Sequence, residues 1–239
     1  MKEEEIAVNW QEKYLNLKTE YEEFAYIVSH DLKAPLRAIQ NLSEWICEDL
    51  GDTLPGETKQ NVQLLQNRTK RMEGLINAIL QFSRVERTDL EVQEIDVSAV
   101  VEELAAPYHI HQGLQWQRTE LPTFATYAKK LKTVLQHLLH NAVQFNQSQL
   151  PKVSIAFSEG DTHYTFKVTD NGMGIAPEAL KKVFQLFYTV APKDKAENMG
   201  VGLTLVRKIV LFAGGAINVT SELGKGSSVI FTWPKEIRQ

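Results

Sequence analysis

Apolar residues recur at Trp10, Tyr14, Leu17, Tyr21, Phe24 and Val28, at alternating steps of four and three. A 3.5-residue period held over nearly three heptads commits this segment to a long helix with an apolar seam. Leu32, Leu36, Ile39, Leu42 and Ile46 continue an apolar face, so the helix is expected to reach about Leu50. Pro35 interrupts it; a proline removes one backbone bond and crowds the carbonyl four residues back, here that of Asp31, so a bend just after His30 is expected. Gly51-Asp52-Thr53-Leu54-Pro55-Gly56 is a dense turn cluster. Beyond it Val62, Leu65, Thr69, Met72, Ile76 and Ile79 define a second helix, widened by Leu64, Leu75, Leu80 and Phe82. Two long helices joined by a short polar turn form an antiparallel hairpin. One hairpin cannot bury stripes this wide, whereas two close a four-helix bundle, so a homodimer is expected.

The pattern changes after Arg87-Thr88-Asp89, and a boundary is placed there: a helical hairpin over 1–90 and a second domain over 91–239. Ile95 and Val97 read as a strand, and Ser98 as the cap of a helix from Ala99 to about Ala106, stopped by Pro107. A helix starting at Thr126 or Tyr127 runs to about Phe145. Val153, Ile155 and Phe157 alternate, as do Tyr164, Phe166 and Val168, with a turn at Glu159-Gly160-Asp161 between them. Pro177-Glu178 opens a short helix to Phe187. Another helix spans Val201 to Ala213 and stops at Gly214-Gly215. Ile217 and Val219, then Val229, Ile230 and Phe231, flank Gly224-Lys225-Gly226 as a terminal hairpin. The expected class is therefore α plus α/β: the hairpin, then a sandwich with a mixed sheet covered by helices on one face.

Charge and cysteine content narrow the setting. The net charge of −4 argues against nucleic-acid binding, which needs a basic face. Cys47 is the single cysteine, so no intrachain disulfide forms and a reducing cytoplasm fits. Met1-Lys2-Glu3-Glu4-Glu5 lacks the basic-then-apolar order of a signal peptide. The most apolar stretch, Ile209 to Val219, is too short to insert across a bilayer, which takes about 20 residues.

Four constellations carry chemistry. His30-Asp31 lies on the long helix; a neutral imidazole is a good nucleophile, and an adjacent carboxylate can hold one ring proton while the other nitrogen attacks phosphorus. Asp170-Asn171-Gly172-Met173-Gly174 follows a strand; its glycines permit close ligand approach, and a buried Asp170 can accept from the exocyclic amine of adenine. Gly200-Val201-Gly202-Leu203 opens a helix whose first amides can face an anion. It lacks the third glycine of a dinucleotide fingerprint and the Lys-Ser/Thr end of a P-loop. On the helix ending at Phe145, His137, Asn141 and roughly Gln144 share one face, and an asparagine oxygen is a hard ligand suited to Mg²⁺. A zinc site at His137 and His140 lacks a third ligand at recognisable spacing, and His109 and His111 read as a solvated pair. Singly, each constellation is as compatible with a surface pair, a turn or a solvated helix face.

Together and in this order, these segments resemble the transmitter region of a sensor histidine kinase of two-component signalling. The stretch around His30 is similar to that family's phospho-acceptor box, and Asn141 to its magnesium-binding asparagine. Asp170, Gly172 and Gly174 resemble the adenine loop, Phe184, Phe187 and Tyr188 the aromatic box, and Gly200 and Gly202 the loop closing the ATP lid. The resemblance implies a dimerising hairpin and a Bergerat-type domain that binds Mg·ATP. It implies His30 as nucleophile and Asp31 as its orienting base. Asn141 is implied as metal ligand, and Phe145, Phe187 and Leu203 are implied at the nucleotide with the loop residues. The phosphoryl group would then pass to an aspartate in the receiver domain of a response regulator. The Trp10–Val28 heptad is expected to continue a helix from an upstream sensor.

Four positions depart from the family pattern. His137 stands where an asparagine is usual, Gln144 where a lysine approaches the phosphates, and Asn198 where a glycine begins the lid's last loop. Lys193, Lys195 or Lys225 are the cations available to replace the missing charge. Ala34 stands where Thr or Asn, four residues after the histidine, holds a hydrolytic water in relatives that also dephosphorylate their regulators. The changes at His137, Gln144 and Asn198 motivate an alternative: a degenerate, non-catalytic module that signals by dimerisation and partner binding.

Overall fold

The computed structural model describes residues 2–108, 114–190 and 199–237. The chain divides into two compact units, Met1–Arg84 and Val85–Gln239.

The first unit is a helical hairpin: α1 (Lys2–Leu50), a 3-10 turn at Gly51–Thr53, and α2 (Gly56–Arg84). Pro35 lies inside α1 without ending it. The face that α1 buries is not the apolar seam. Glu22, Ala25, Ser29, Leu36 and Ser43 are buried, and so are Thr69, Ile76 and Ser83 of α2. Ser29, Leu36 and Ser43 stand seven residues apart, as do Thr69, Ile76 and Ser83, so small and hydroxylated side chains alternate with one aliphatic in each helix. The buried hydroxyls are satisfied locally: Ser43 Oγ donates to Gln40 O at 2.6 Å, Thr69 Oγ1 to Leu65 O at 2.9 Å and Ser83 Oγ to Leu80 O at 2.9 Å. The large seam residues point away, with Trp10 67%, Leu17 66% and Phe24 65% exposed.

The second unit holds β1 (Gln93–Asp96), α3 (Val97–Ala105), β2 (Gln115–Arg118), β3 (Thr123–Thr126), α4 (Ala128–Gln144), β4 (Lys152–Glu159) and β5 (His163–Asp170), then α5 (Pro177–Leu180), α6 (Gly202–Phe212), β6 (Ile217–Glu222) and β7 (Gly226–Pro234). β1 pairs with β3, and the five-stranded sheet has the order β2-β4-β5-β7-β6. β2 runs parallel to β4 and the other pairs are antiparallel, which makes the sheet mixed. One sheet face carries Val153, Ile155, Phe166, Val168, Phe231 and Trp233 into a core with α3, α4 and α6. Phe166 stacks on Phe231 at 5.1 Å, and the buried Trp233 Nε1 donates to Thr126 Oγ1 at 2.7 Å. Segment 85–90, read from the sequence with the hairpin, belongs to this unit. Val85 is buried in its core, and its carbonyl accepts from the buried Lys130 ammonium, whose pKa burial lowers.

Several boundaries differ from the sequence reading. Val97 opens α3 instead of lying in a strand, and Asp96, not Ser98, caps it, accepting from Ala99 N at 3.1 Å. Thr126 ends β3, and α4 begins only at Ala128. The helix expected to reach Phe187 stops at Leu180 and gives way to turns. Strands β2 and β3 have no counterpart in that reading.

Candidate functional site

The phospho-acceptor candidate lies on α1. His30 and Asp31 are both well exposed, and His30 Nδ1 meets Asp31 Oδ1 at 3.1 Å. An ionised carboxylate only accepts, so this contact places the proton on Nδ1 and leaves the Nε2 lone pair free. The Tyr26 ring stands one turn before, 6.3 Å from the imidazole, and the Arg84 guanidinium lies over that tyrosine ring, 5.1 Å from its centroid. Ala34 is exposed one turn after His30.

The nucleotide candidate lies in the second unit, around the C-terminal half of α4. Asp170 ends β5 directly opposite Val153 and Ser227, which puts its carboxylate on the helix-covered face of the sheet. Burial raises its pKa above the ordinary value, against the pull of the Gly172 and Ser227 backbone N–H groups. Gly172 N donates to Asp170 Oδ1 at 2.8 Å, leaving other lone pairs of the carboxylate for a ligand.

Backbone contacts bind this loop to its surroundings. A Cβ on Gly172 would come within 2.5 Å of Phe145 O, and Met173 N donates to that carbonyl at 3.1 Å. Gly174 has φ +67, and a Cβ there would meet Glu222 O at 2.0 Å, so only glycine fits. Gly224 N donates to Met173 O at 2.8 Å, strapping the loop to the β6–β7 turn. Asn171, unassigned in the sequence reading, clamps the neighbouring segment. Its Oδ1 accepts from Lys152 N at 2.6 Å and from Asn146 Nδ2 at 3.0 Å, while its Nδ2 donates to Leu150 O at 3.0 Å.

The glycine loop meets α4 on the same helix. A Cβ on Gly202 would lie 3.4 Å from His137 Nδ1 and 3.9 Å from Asn141 Nδ2. Gly200 has φ +69 against Tyr188 O, and its carbonyl accepts from Phe187 N at 2.8 Å. Phe187 itself has φ +63, an unusual conformation for a bulky residue, held by that bond. Thr204 Oγ1 donates to Phe184 O at 3.1 Å, and Leu203 packs against the core. Thus α4 gathers Asn141 with Gly202 and Phe145 with Gly172 and Asp170, while Phe187 joins Gly200.

Other candidates fall elsewhere. Burial holds the His137 imidazole below its ordinary pKa and His140 lowers it further, while His140 Nδ1 engages Tyr108 OH at 2.9 Å. Lys225 pairs with Glu222 at 2.6 Å on the hairpin turn. His109, His111, Lys193, Lys195 and Asn198 lie outside the described residues. Among the described residues no group of three or more His, Cys, Asp or Glu could hold a metal. A metal here would rely on amide, water and phosphate oxygens, the donor set that magnesium prefers. Asn141 offers one such oxygen, and Gln144 Oε1 is buried without a hydrogen-bond partner.

A helical hairpin presenting a histidine is thus followed by a mixed-sheet sandwich with a glycine-bounded site. Two family descriptions match in the same order: the His Kinase A (phospho-acceptor) domain over residues 20–88, and the histidine kinase-, DNA gyrase B- and HSP90-like ATPase over residues 126–237. The chain belongs to the sensor histidine kinases, as their transmitter region. It is 33% identical over 219 residues to cyanobacterial phytochrome B of Nostoc sp., covering 89% of this chain and 29% of that protein. It is 31% identical over 220 residues to the methanogenesis regulatory histidine kinase FilI of Methanothrix harundinacea, covering 90% of this chain and 25% of that protein. The chain thus spans less than a third of these curated relatives. Full-length ShkA, solved in complex with AMPPNP, superposes with a TM-score of 0.68 at 25% identity, over 90% of this chain and 46% of that one.

Proposed function

We propose that this chain catalyses ATP-dependent phosphorylation of its own His30 and passes the phosphoryl group to an aspartate in the receiver domain of a response regulator. The observation that carries this reading is the setting of His30: an exposed imidazole whose Nδ1 lies 3.1 Å from Asp31 Oδ1, a contact that favours the tautomer with its lone pair on Nε2. The Nε2 lone pair attacks the γ-phosphorus of ATP. The bond from that phosphorus to the β,γ-bridging oxygen breaks, and ADP departs with the electron pair. Asp31 keeps the ring oriented and stabilises the positive charge that develops on it. In the second unit Asp170 accepts from the adenine amine, Gly172 and Gly174 let the backbone approach the base, and Gly200 and Gly202 shape the phosphate end. Phe145, Phe187 and Leu203 border the nucleotide. Magnesium, when bound, neutralises triphosphate charge and is held by Asn141.

Two copies act together, because the Trp10–Phe24 seam is apolar, exposed and heptad-spaced, and a second copy covers it. An upstream sensor domain sets the register of α1. No helix among the described residues is long and apolar enough to cross a membrane, and we place the chain in the cytoplasm. The alternative, a non-catalytic signalling module, draws on Gln144 where a lysine is usual. Incubation with γ-labelled ATP and Mg²⁺ separates the two. The expected product is acid-labile and base-stable and is abolished by His30→Gln with nucleotide binding retained; an acid-labile label persisting in that variant would reassign the acceptor.

A further inference from the structure

Gln144 has a buried amide oxygen with nothing to accept. Leaving such an acceptor unpaired is costly, and most buried side-chain polar atoms have partners. It occupies the last residue of α4, three positions after Asn141 and so on the face that His137 and Asn141 turn toward Gly202. The helix end beside it is held firmly, since Phe145 N donates to Asn141 O at 3.1 Å and Phe145 O accepts from Met173 N at 3.1 Å. Two amide side chains therefore stand on neighbouring turns of one helix face, and one has an oxygen left over.

We infer that Gln144 is a second magnesium-site residue: its Oε1 binds the metal of Mg·ATP, directly or through a metal-bound water, beside Asn141. This rests on the nucleotide reading above and adds a consequence to it. A lysine here would give α4 a fixed charge against the triphosphate with or without metal. Presented through its oxygen, the Gln144 amide gives nothing to metal-free ATP, because that oxygen's lone pairs repel phosphate oxygens unless a cation lies between. Lys225, on the hairpin turn, is already paired with Glu222. The site consequently selects the metal-bound form of ATP, and binding of nucleotide and magnesium are coupled more tightly than a lysine would allow.

The test is ATP binding by the full chain, measured by calorimetry across a magnesium titration that starts in chelator. Gln144→Met keeps the length and removes the acceptor; the apparent magnesium affinity of its ATP complex should fall about three- to tenfold, with metal-free binding unchanged. Gln144→Lys should raise metal-free ATP affinity by roughly tenfold and flatten the magnesium dependence. Gln144→Glu, which can accept but never donate, should keep or steepen that dependence. A magnesium titration unaltered in Gln144→Met would overturn the role of Gln144 while leaving the nucleotide site standing. Loss of ATP binding in Gln144→Glu at saturating magnesium would overturn it too, since it would mean the amide serves as a donor to phosphate. Failure of the unaltered chain to bind Mg·ATP at all would overturn the underlying reading and this one with it. Unchanged melting of the three variants without nucleotide shows that each folds.

Discussion

At the scale of single residues, Asp170 pairs two opposed requirements. Its position on the core side of the sheet disfavours the charged form, yet the adenine recognition proposed for it uses that charge. Asp170→Asn should weaken ATP binding by about 1.5–3 kcal/mol, or roughly 10- to 150-fold, because a charged acceptor becomes an amide that must be oriented. Calorimetry checks this, and unchanged affinity would remove Asp170 from the pocket. The same substitution should have the opposite effect on folding. A carboxyl whose folded pKa is raised binds its proton more tightly when folded, so its contribution to stability is greatest below the unfolded value and is lost as pH rises through the folded one. Nucleotide-free Asp170→Asn should therefore melt higher than the parent near neutral pH, with the advantage shrinking as pH falls through the raised folded value to the ordinary carboxylate range. The Asp170–Gly174 loop was legible only in company: alone it reads as a strand-ending turn, and its place in order with the other segments singled it out. The Asn171 clamp was not legible, because its partners Asn146, Leu150 and Lys152 lie about twenty residues earlier, and only the folded loop brings them together.

At the scale of elements, periodicity was most informative where it was longest. α1 and α2 follow from their apolar spacing, but spacing alone does not say which face meets which partner. The structure assigns the intrachain contact to Ala25, Ser29, Leu36 and Ser43 against Thr69, Ile76 and Ser83, a row too poor in large apolar side chains to stand out. The conspicuous seam stays exposed within one copy. Replacing Leu17 and Phe24 by Asp in the full chain should convert a dimer to a monomer or to a weakly associating species, measured by light scattering at micromolar concentration. A parent chain that is already monomeric and folded would refute the bundle. Short strands escaped notice for a physical reason. Gln115–Arg118 has one apolar residue in four and becomes a strand only by pairing with Lys152–Ile155, far along the chain.

At the scale of the molecule, two compact units meet in sequence at Arg84 and Val85, and only the second carries the residues proposed to bind nucleotide. Ligand stabilises what it binds: at about a hundred times the dissociation constant, the gain is roughly 2.7 kcal/mol. Calorimetric melting should thus resolve two transitions, of which Mg·ATP raises one and leaves the other in place. A single transition that moves as a whole would show the units to unfold as one. Ala34, exposed one turn beyond His30, bears on time instead of stability. A methyl group cannot hold a water in line with a receiver's acyl phosphate. Incubated with ADP and Mg²⁺, this protein should barely hasten the decay of a phosphorylated receiver, and Ala34→Thr should hasten it; rapid decay with the parent chain, with no label returning to His30 or ATP, would contradict this. With that reverse step absent, a circuit built on such a kinase would have no brake at its source. How long it remembers a stimulus is then written in the receiver's own hydrolysis rate.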